Sequence, residues 1–298
     1  MNKNQVLNQN PGLSIFILKV IAMIIMTVDH VGFMLGSTQN TVTFILRVIG
    51  RICFPIIVFV LIEGLSHTSN IKKYILRLGI FALGEYVIMT ILQAVSNFNF
   101  GFDGNIFLTL FLLAVSYYFI FKTKHKWLVI IPIAYLLLSF ALETPFAFGY
   151  YDFADFPFFI YLNSFYAQYP LLGPALFFGI IIGYKIYNSI IKKRLVSNDL
   201  VEAFMQTPEY QRSKNGIVCI IIAGLSLICY LITYLPVYEG LLDNLCNFAI
   251  QTFMCLACIP LYFYNGKLGY NNKVVKYSFY LYYPLHLAII NLIFWLIS

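Results

Sequence analysis

Residues 13–68 read LSIFILKVIAMIIMTVDHVGFMLGSTQNTVTFILRVIGRICFPIIVFVLIEGLSHT. Two apolar segments, each long enough to cross a bilayer at about 20 residues per helix, are joined here by a short polar turn. Both carry ionisable residues: Lys19, Asp29 and His30 in the first, Arg47, Arg51 and Glu63 in the second. A charge at the centre of a membrane helix costs roughly 2.5–3.5 kcal/mol on insertion scales, so such residues mark chemistry or a transport path.

The rest of the chain agrees with a membrane reading. Of its 298 residues 61% are hydrophobic and 10% charged, far from the roughly 25% charged of soluble proteins. The expectation is an all-α, polytopic integral membrane bundle, a single domain over residues 1–298, with a polar cytoplasmic tail at 1–12 that stays attached. The net charge of +7 does not point to nucleic acid, because the basic residues are scattered between apolar spans and form no stripe. The six cysteines lie in or beside apolar runs, where a thiol behaves as a small hydrophobe, and Cys255 and Cys258 lack a second pair for a metal site.

Nine spans are expected, at roughly 13–36, 43–65, 73–95, 104–121, 127–142, 171–191, 217–235, 243–264 and 277–298. Their connections alternate in charge. Lys3, then Lys72 and Lys73, then Lys122, Lys124 and Lys126, then Lys192–Arg194 with Arg212 and Lys214, then Lys267, Lys273 and Lys276 occupy every other one. The remainder hold no lysine or arginine and carry Asp103, Glu143, Asp152, Asp155, Glu239 and Asp243. Under the positive-inside rule the N-terminus is cytoplasmic, the span count odd and the C-terminus external. The external stretch 143–170 is crowded with Phe and Tyr around Asp152 and Asp155 and reads either as an interfacial loop or as a lid or acceptor-binding surface. In the cytoplasmic stretch 192–216, Asp199 and Glu202 have capping-box spacing, which predicts a short surface helix.

Inside the spans, the basic residues away from a cytoplasmic end are Lys19, Arg47 and Arg51, and the acidic ones are Asp29, Glu63 and Glu85. Three against three allows mutual neutralisation. Lys19 and His30 are 11 residues apart, three helical turns and roughly 16 Å along one face. The second span returns inward, which brings Arg47 and Arg51, one turn apart, to the depth of His30, and Glu63 to the level of Lys19. Asp29 projects about 100° from His30, so the two are poorly placed for one metal ion, and no metal is expected. His286 in the last span comes out near mid-membrane. Simple packing roles stay open: the arginines pairing with Asp29 and Glu85, and His286 hydrogen-bonding across helices.

The blocks LKVIAMIIMTVDHVG, RVIGRICFPIIVFVLIEG, KYILRLGIFAL, NIFLTL and, near the end, FYLYYPLH carry a resemblance to the TraX family of membrane proteins, known for N-terminal acetylation of conjugative pilin. That family is grouped with larger transmembrane acyltransferases whose first helix carries an arginine, ten residues, then an essential histidine; Lys19 and His30 have that spacing, with lysine for arginine. The resemblance implies an acyltransferase of the bacterial cytoplasmic membrane. Acetyl-CoA or another acyl-CoA is the donor it implies, and a peptide, glycan or lipid-linked amine or hydroxyl the acceptor.

In that reading His30 is the general base, oriented by Asp29 or a neighbour, and Arg47 and Arg51 stabilise an oxyanion or grip donor phosphates. Lys19, Glu63 and Arg77, the last within the third block, are the expected donor-binding residues. Glu85, Asn105, Thr109, Asp152, Asp155 and His286 complete the polar set facing substrate. The rival class is a transporter or channel using the same charges as a pathway; the odd span count and the lack of an internal repeat speak against it.

Overall fold

A computed structural model of the chain describes residues 12–36, 40–96, 104–147, 166–195, 197–233 and 248–297. Among these the backbone is helical apart from turns and two isolated bridges, Leu13 with Tyr264 and Asn105 with Ala167. The helices are α1 (Ile15–Met34), α2 (Thr41–Gly50), α3 (Cys53–His67), α4 (Ile71–Ser96), α5 (Ile106–Lys122) and α6 (Ile130–Ala147). They continue as α7 (Leu172–Arg194), α8 (Asn198–Met205), α9 (Pro208–Thr233), α10 (Phe248–Gln251), α11 (Cys258–Tyr262) and α12 (Lys273–Ile297).

Among the described residues six helical stretches are long and apolar enough to cross a membrane: Ile15–Met34, Thr41–His67, Ile71–Ile91, Leu172–Arg194, Pro208–Thr233 and Lys273–Phe294. The other three expected spans fall on shorter apolar helices, Ile106–Lys122, Lys126–Ala141 and Thr252–Tyr262. Large apolar side chains point outward, with Leu83 62% and Ile220 72% exposed. In water such surface would be a liability; toward lipid it is the requirement.

Two expected spans are broken, each at a proline. The second, read as continuous from 43 to 65, is α2 followed by α3, with i→i−3 bonds Arg51 N to Val48 O and Ile52 N to Ile49 O at the joint. Pro55 has no N–H for the Arg51 carbonyl and its ring crowds that carbonyl, which accounts for the break at this joint. The eighth, read as 243–264, is α10, a 3₁₀ segment at Thr252–Ala257 and then α11. Pro260 acts there in the same way on the Leu256 carbonyl. The surface helix expected near Asp199 is α8, but its cap is Ser197, whose hydroxyl accepts from Leu200 N at 3.3 Å.

The chain divides into two compact units. The first comprises Met1–Val60, Phe178–Cys229 and Ile250–Ser298, and its buried core includes Leu18, Ile56, Phe59, Ile180, Ile222 and Leu287. The second comprises Leu61–Phe177 and Tyr230–Ala249, with Leu65, Leu78, Leu113 and Leu136 at its centre.

Within the first unit α1 is started by Ser14, which accepts from Ile17 N at 3.4 Å, and ends at Gly36 in the left-handed region with φ of 96°. The chain then returns into α2, capped by Asn40 through Val42 N at 2.9 Å. α1 also packs along α12. The contacts Lys19 with Phe279, Thr27 with Tyr282 and His30 with His286 rise in number together on both helices, so the two run parallel.

Candidate functional site

Asp29 and His30 follow each other on α1 and face different neighbours, as the 100° step of a helix requires. Asp29 faces α2. Its Oδ1 accepts from Arg47 Nη1 at 2.8 Å and from Arg51 Nη2 at 2.5 Å, while Arg51 Nε donates to the Arg47 carbonyl at 3.1 Å. The three side chains are 13%, 14% and 4% exposed for Asp29, Arg47 and Arg51. Arg47 also lies over the Phe33 ring, 5.1 Å from its centroid. One carboxylate oxygen thus holds two guanidiniums in fixed positions beside the histidine.

His30 faces α12. Its Nδ1 is 2.9 Å from His286 Nε2, and His286 Nδ1 is 2.9 Å from the Tyr282 carbonyl oxygen one turn back. Both histidines are buried. The Tyr282 ring stacks on His286, with centroids 5.0 Å apart and planes 6° from parallel, and Tyr283 meets both imidazoles edge to face. The Tyr282 hydroxyl bonds to Thr27 Oγ1 and donates to the Met23 carbonyl, tying α12 to α1 one turn from the histidines. Further along the same face, Lys19 Nζ sits over the Phe279 ring, 5.2 Å from its centroid. Lys19 and His30 therefore share a face, as their spacing predicts, and it is the face turned to the last helix.

His30 is engaged by His286 Nε2 and by the Met26 carbonyl of its own helix. Asp29 is engaged by the arginines, so of the two expected orienting groups, Asp29 or a neighbour, it is a neighbour that contacts the imidazole. From the sequence alone His286 comes out near mid-membrane with no named partner, and Thr27, Tyr282 and Tyr283 carry no expected role. A signal was present: Thr27 stands three residues before His30 and Tyr282 four before His286, so each shares a face with its histidine.

The other expected site residues belong to the second unit or lie outside the described residues. Glu63 is buried in α3, its carbonyl 2.9 Å from His67 Nδ1. Arg77 lies over the Tyr74 ring at 5.5 Å, and Glu85 is buried in α4. Asn105 caps α5 through Leu108 N at 2.8 Å and donates from Nδ2 to the Ala82 carbonyl at 2.8 Å. Thr109 Oγ1 donates to the Gln168 carbonyl at 2.5 Å. The Asn105 backbone and the Thr109 side chain thus pin the Tyr166–Gln168 segment, whose Tyr166 carbonyl accepts from Asn105 N at 2.7 Å. Their polar groups serve architecture. Asp152 and Asp155, with the aromatic loop around them, lie outside the described residues.

The sequence profile of the family described as TraX protein matches residues 14–294, which includes both helices of the histidine pair. The chain belongs to the TraX family. It is also similar to a Dichelobacter nodosus protein named "Probable fimbrial assembly protein FimC, serogroup H1", at 34% identity over 110 residues. That similarity covers 35% of this chain and 45% of the relative, so the chain spans less than half of the curated relative it matches. No solved structure matches. In this TraX-family chain, the blocks DHVG, RVIGR and YPLH supply the two buried imidazoles and the two guanidinium groups of one corner of the first unit.

Proposed function

We propose that this TraX-family protein is an integral membrane acyltransferase of the bacterial cytoplasmic membrane. It moves an acetyl group from acetyl-CoA to an amine or hydroxyl of an exported or membrane-associated acceptor. The observation that carries the reading is the placement, on consecutive residues of α1, of a buried imidazole and a carboxylate that holds two guanidiniums. A base beside preorganised cationic donors is what attack on a thioester carbonyl needs. The pilin acetylation associated with the family and the fimbrial relative favour a pilus or fimbrial subunit as acceptor, recognised at its N-terminal amine.

In this scheme His30 takes a proton from the acceptor as its nitrogen or oxygen bonds to the acyl carbon. Arg47 and Arg51 stabilise the negative charge that develops on the carbonyl oxygen, and the same proton then leaves His30 for the departing thiolate. Asp29 keeps the guanidiniums in register, so little reorganisation is spent at the moment of reaction. Lys19, at the other end of the face, Glu63 and Arg77 remain the proposed contacts to the donor, and Glu85, Asp152 and Asp155 to the acceptor. An aqueous cytoplasm supplies the donor to that side.

The topology proposed with this function is nine spans, N-terminus inside and C-terminus outside. Its support is the parallel packing of α1 and α12: two parallel membrane helices enter from the same side, so the number of crossings from the first to the last is odd. Six spans would make them antiparallel.

The test is transfer itself. Purified protein in lipid nanodiscs, given acetyl-CoA labelled in the acetyl group and a bacterial membrane extract, should place label on one acceptor, with the donor thiol released in equal amount. Label remaining in acetyl-CoA with every fraction, including purified pilin, would sink the proposal.

A further inference from the structure

We propose that His286 is a positioning residue that, together with the Met26 carbonyl one turn back on α1, holds His30 in one tautomer, with the proton on Nδ1 and the reactive lone pair on Nε2. The assignment follows from what each atom is able to do. A backbone carbonyl only accepts, so the 2.9 Å contact between His286 Nδ1 and the Tyr282 oxygen requires a proton on that nitrogen. A neutral imidazole has one N–H, so His286 Nε2 carries the lone pair. That nitrogen is 2.9 Å from His30 Nδ1, and one of two facing nitrogens must donate, so His30 Nδ1 holds the proton. The His30 lone pair is then on Nε2, the atom that takes the acceptor's proton.

The surroundings hold His286 to this duty. Its ring is clamped between the stacked Tyr282 and the edge of Tyr283. Tyr282 is itself fixed to α1 through Thr27 and Met23. Pro284 stands inside the same turn of α12 and withholds an amide from the Tyr280 carbonyl. The two histidines are thus held by two helices that are tied together beside them, which keeps the N–H···N contact short.

Catalysis draws on this arrangement in two ways. It presents the correct nitrogen, and it places an acceptor against His30 Nδ1–H, a contact that becomes charge-assisted once Nε2 is protonated. His286 gains or loses no proton over the cycle. The acceptor proton goes to His30 Nε2 and from there to the thiolate, the new acyl bond forms, and the C–S bond breaks. The role in turnover rests on the acyltransferase reading; the tautomer does not.

The experiment uses the full chain in nanodiscs with 15N-labelled histidine. The sequence has four histidines, and a His67→Gln/His125→Gln background leaves only this pair. NMR should show a coupling across one N–H···N bond and an unprotonated His30 Nε2. In His286→Leu the coupling vanishes, the His30 ring keeps the Met26 carbonyl alone and loses its fixed orientation, and kcat falls by about 10²-fold, part of the range of general-base catalysis, while KM for acetyl-CoA stays put. His286→Gln, whose amide oxygen is able to accept from His30 Nδ1–H, should recover about tenfold of that loss, a rescue that a packing role would not give. A wild-type spectrum with the His30 proton on Nε2, or a His286→Leu variant with normal kcat, overturns the assignment. The expected tautomer in a wild-type protein that transfers no acetyl supports the assignment and sinks the acyltransferase reading alone.

Discussion

Gly50 presses its bare backbone against Asp29: a Cβ added there would fall 2.1 Å from Oδ1. The close approach lets α2 bring Arg47 and Arg51 onto one carboxylate oxygen. Gly50→Ala is therefore expected to push the helices apart or turn the Asp29 carboxylate away, at a cost of about 1–3 kcal/mol as in other overpacked sites. Gly84→Ala is the control, since an added Cβ there meets nothing within 4 Å. Thermal unfolding in detergent checks this: Gly50→Ala should melt lower, and Gly84→Ala at or above the parent. Equal melting of the two would remove the packing role assigned to Gly50.

The carboxylate itself should matter more than its neighbour's geometry. Asp29→Asn leaves two guanidiniums near a low-dielectric interior without their shared counter-charge, and breaking one side of a buried pair costs about 3–5 kcal/mol. Arg51→Lys keeps the charge but not the fork that reaches both Asp29 and the Arg47 carbonyl. It should lose acyl transfer while melting closer to the parent than Asp29→Asn does. A larger melting shift in Arg51→Lys than in Asp29→Asn would reverse that ranking.

How far the sequence foretold this corner depends on the kind of information. The membrane class and the Lys19–His30 face were readable because charge cost and helical periodicity act along one segment, and both have simple rules. Pairing of Arg47 and Arg51 with Asp29 and Glu85 was open as a packing alternative, and the structure contains its Asp29 part. The His30–His286 contact was not readable, because 256 residues separate its members and no local pattern fixes which helix packs on which. The breaks at Pro55 and Pro260 were legible and outweighed: hydropathy averages over a span, whereas one missing N–H acts on a single carbonyl. Asn105 and Thr109 looked like substrate groups because an apolar helix rarely carries them, yet a helix cap explains the first and a loop anchor the second.

Topology gives a prediction independent of chemistry. In a cysteine-free background, a Cys placed at Asp152 should react with a membrane-impermeant thiol reagent in intact cells. One placed at Lys124 should react only after the membrane is opened. The motive is the alternation of basic and acidic connections together with the parallel run of α1 and α12. Labelling of both positions from outside, or the reverse order, would contradict nine spans with an internal N-terminus.

The proposed reaction would depend most directly on His30. It is buried against α12, its Nδ1 engaged by His286, and it follows the residue that holds both arginines. With His30 as the proposed general base, its removal should lower acetyl transfer by about 10²- to 10⁴-fold. His30→Ala also deletes a cross-helix hydrogen bond, worth only about 0.5–1.5 kcal/mol net, so the variant should still insert and fold. Turnover per folded molecule and melting temperature, measured on one preparation, separate the two roles. A histidine that only joined α1 to α12 would show its loss in melting and leave turnover near normal. A catalytic one shows the opposite, and His30→Ala with parental turnover would falsify the mechanism, whatever its melting temperature.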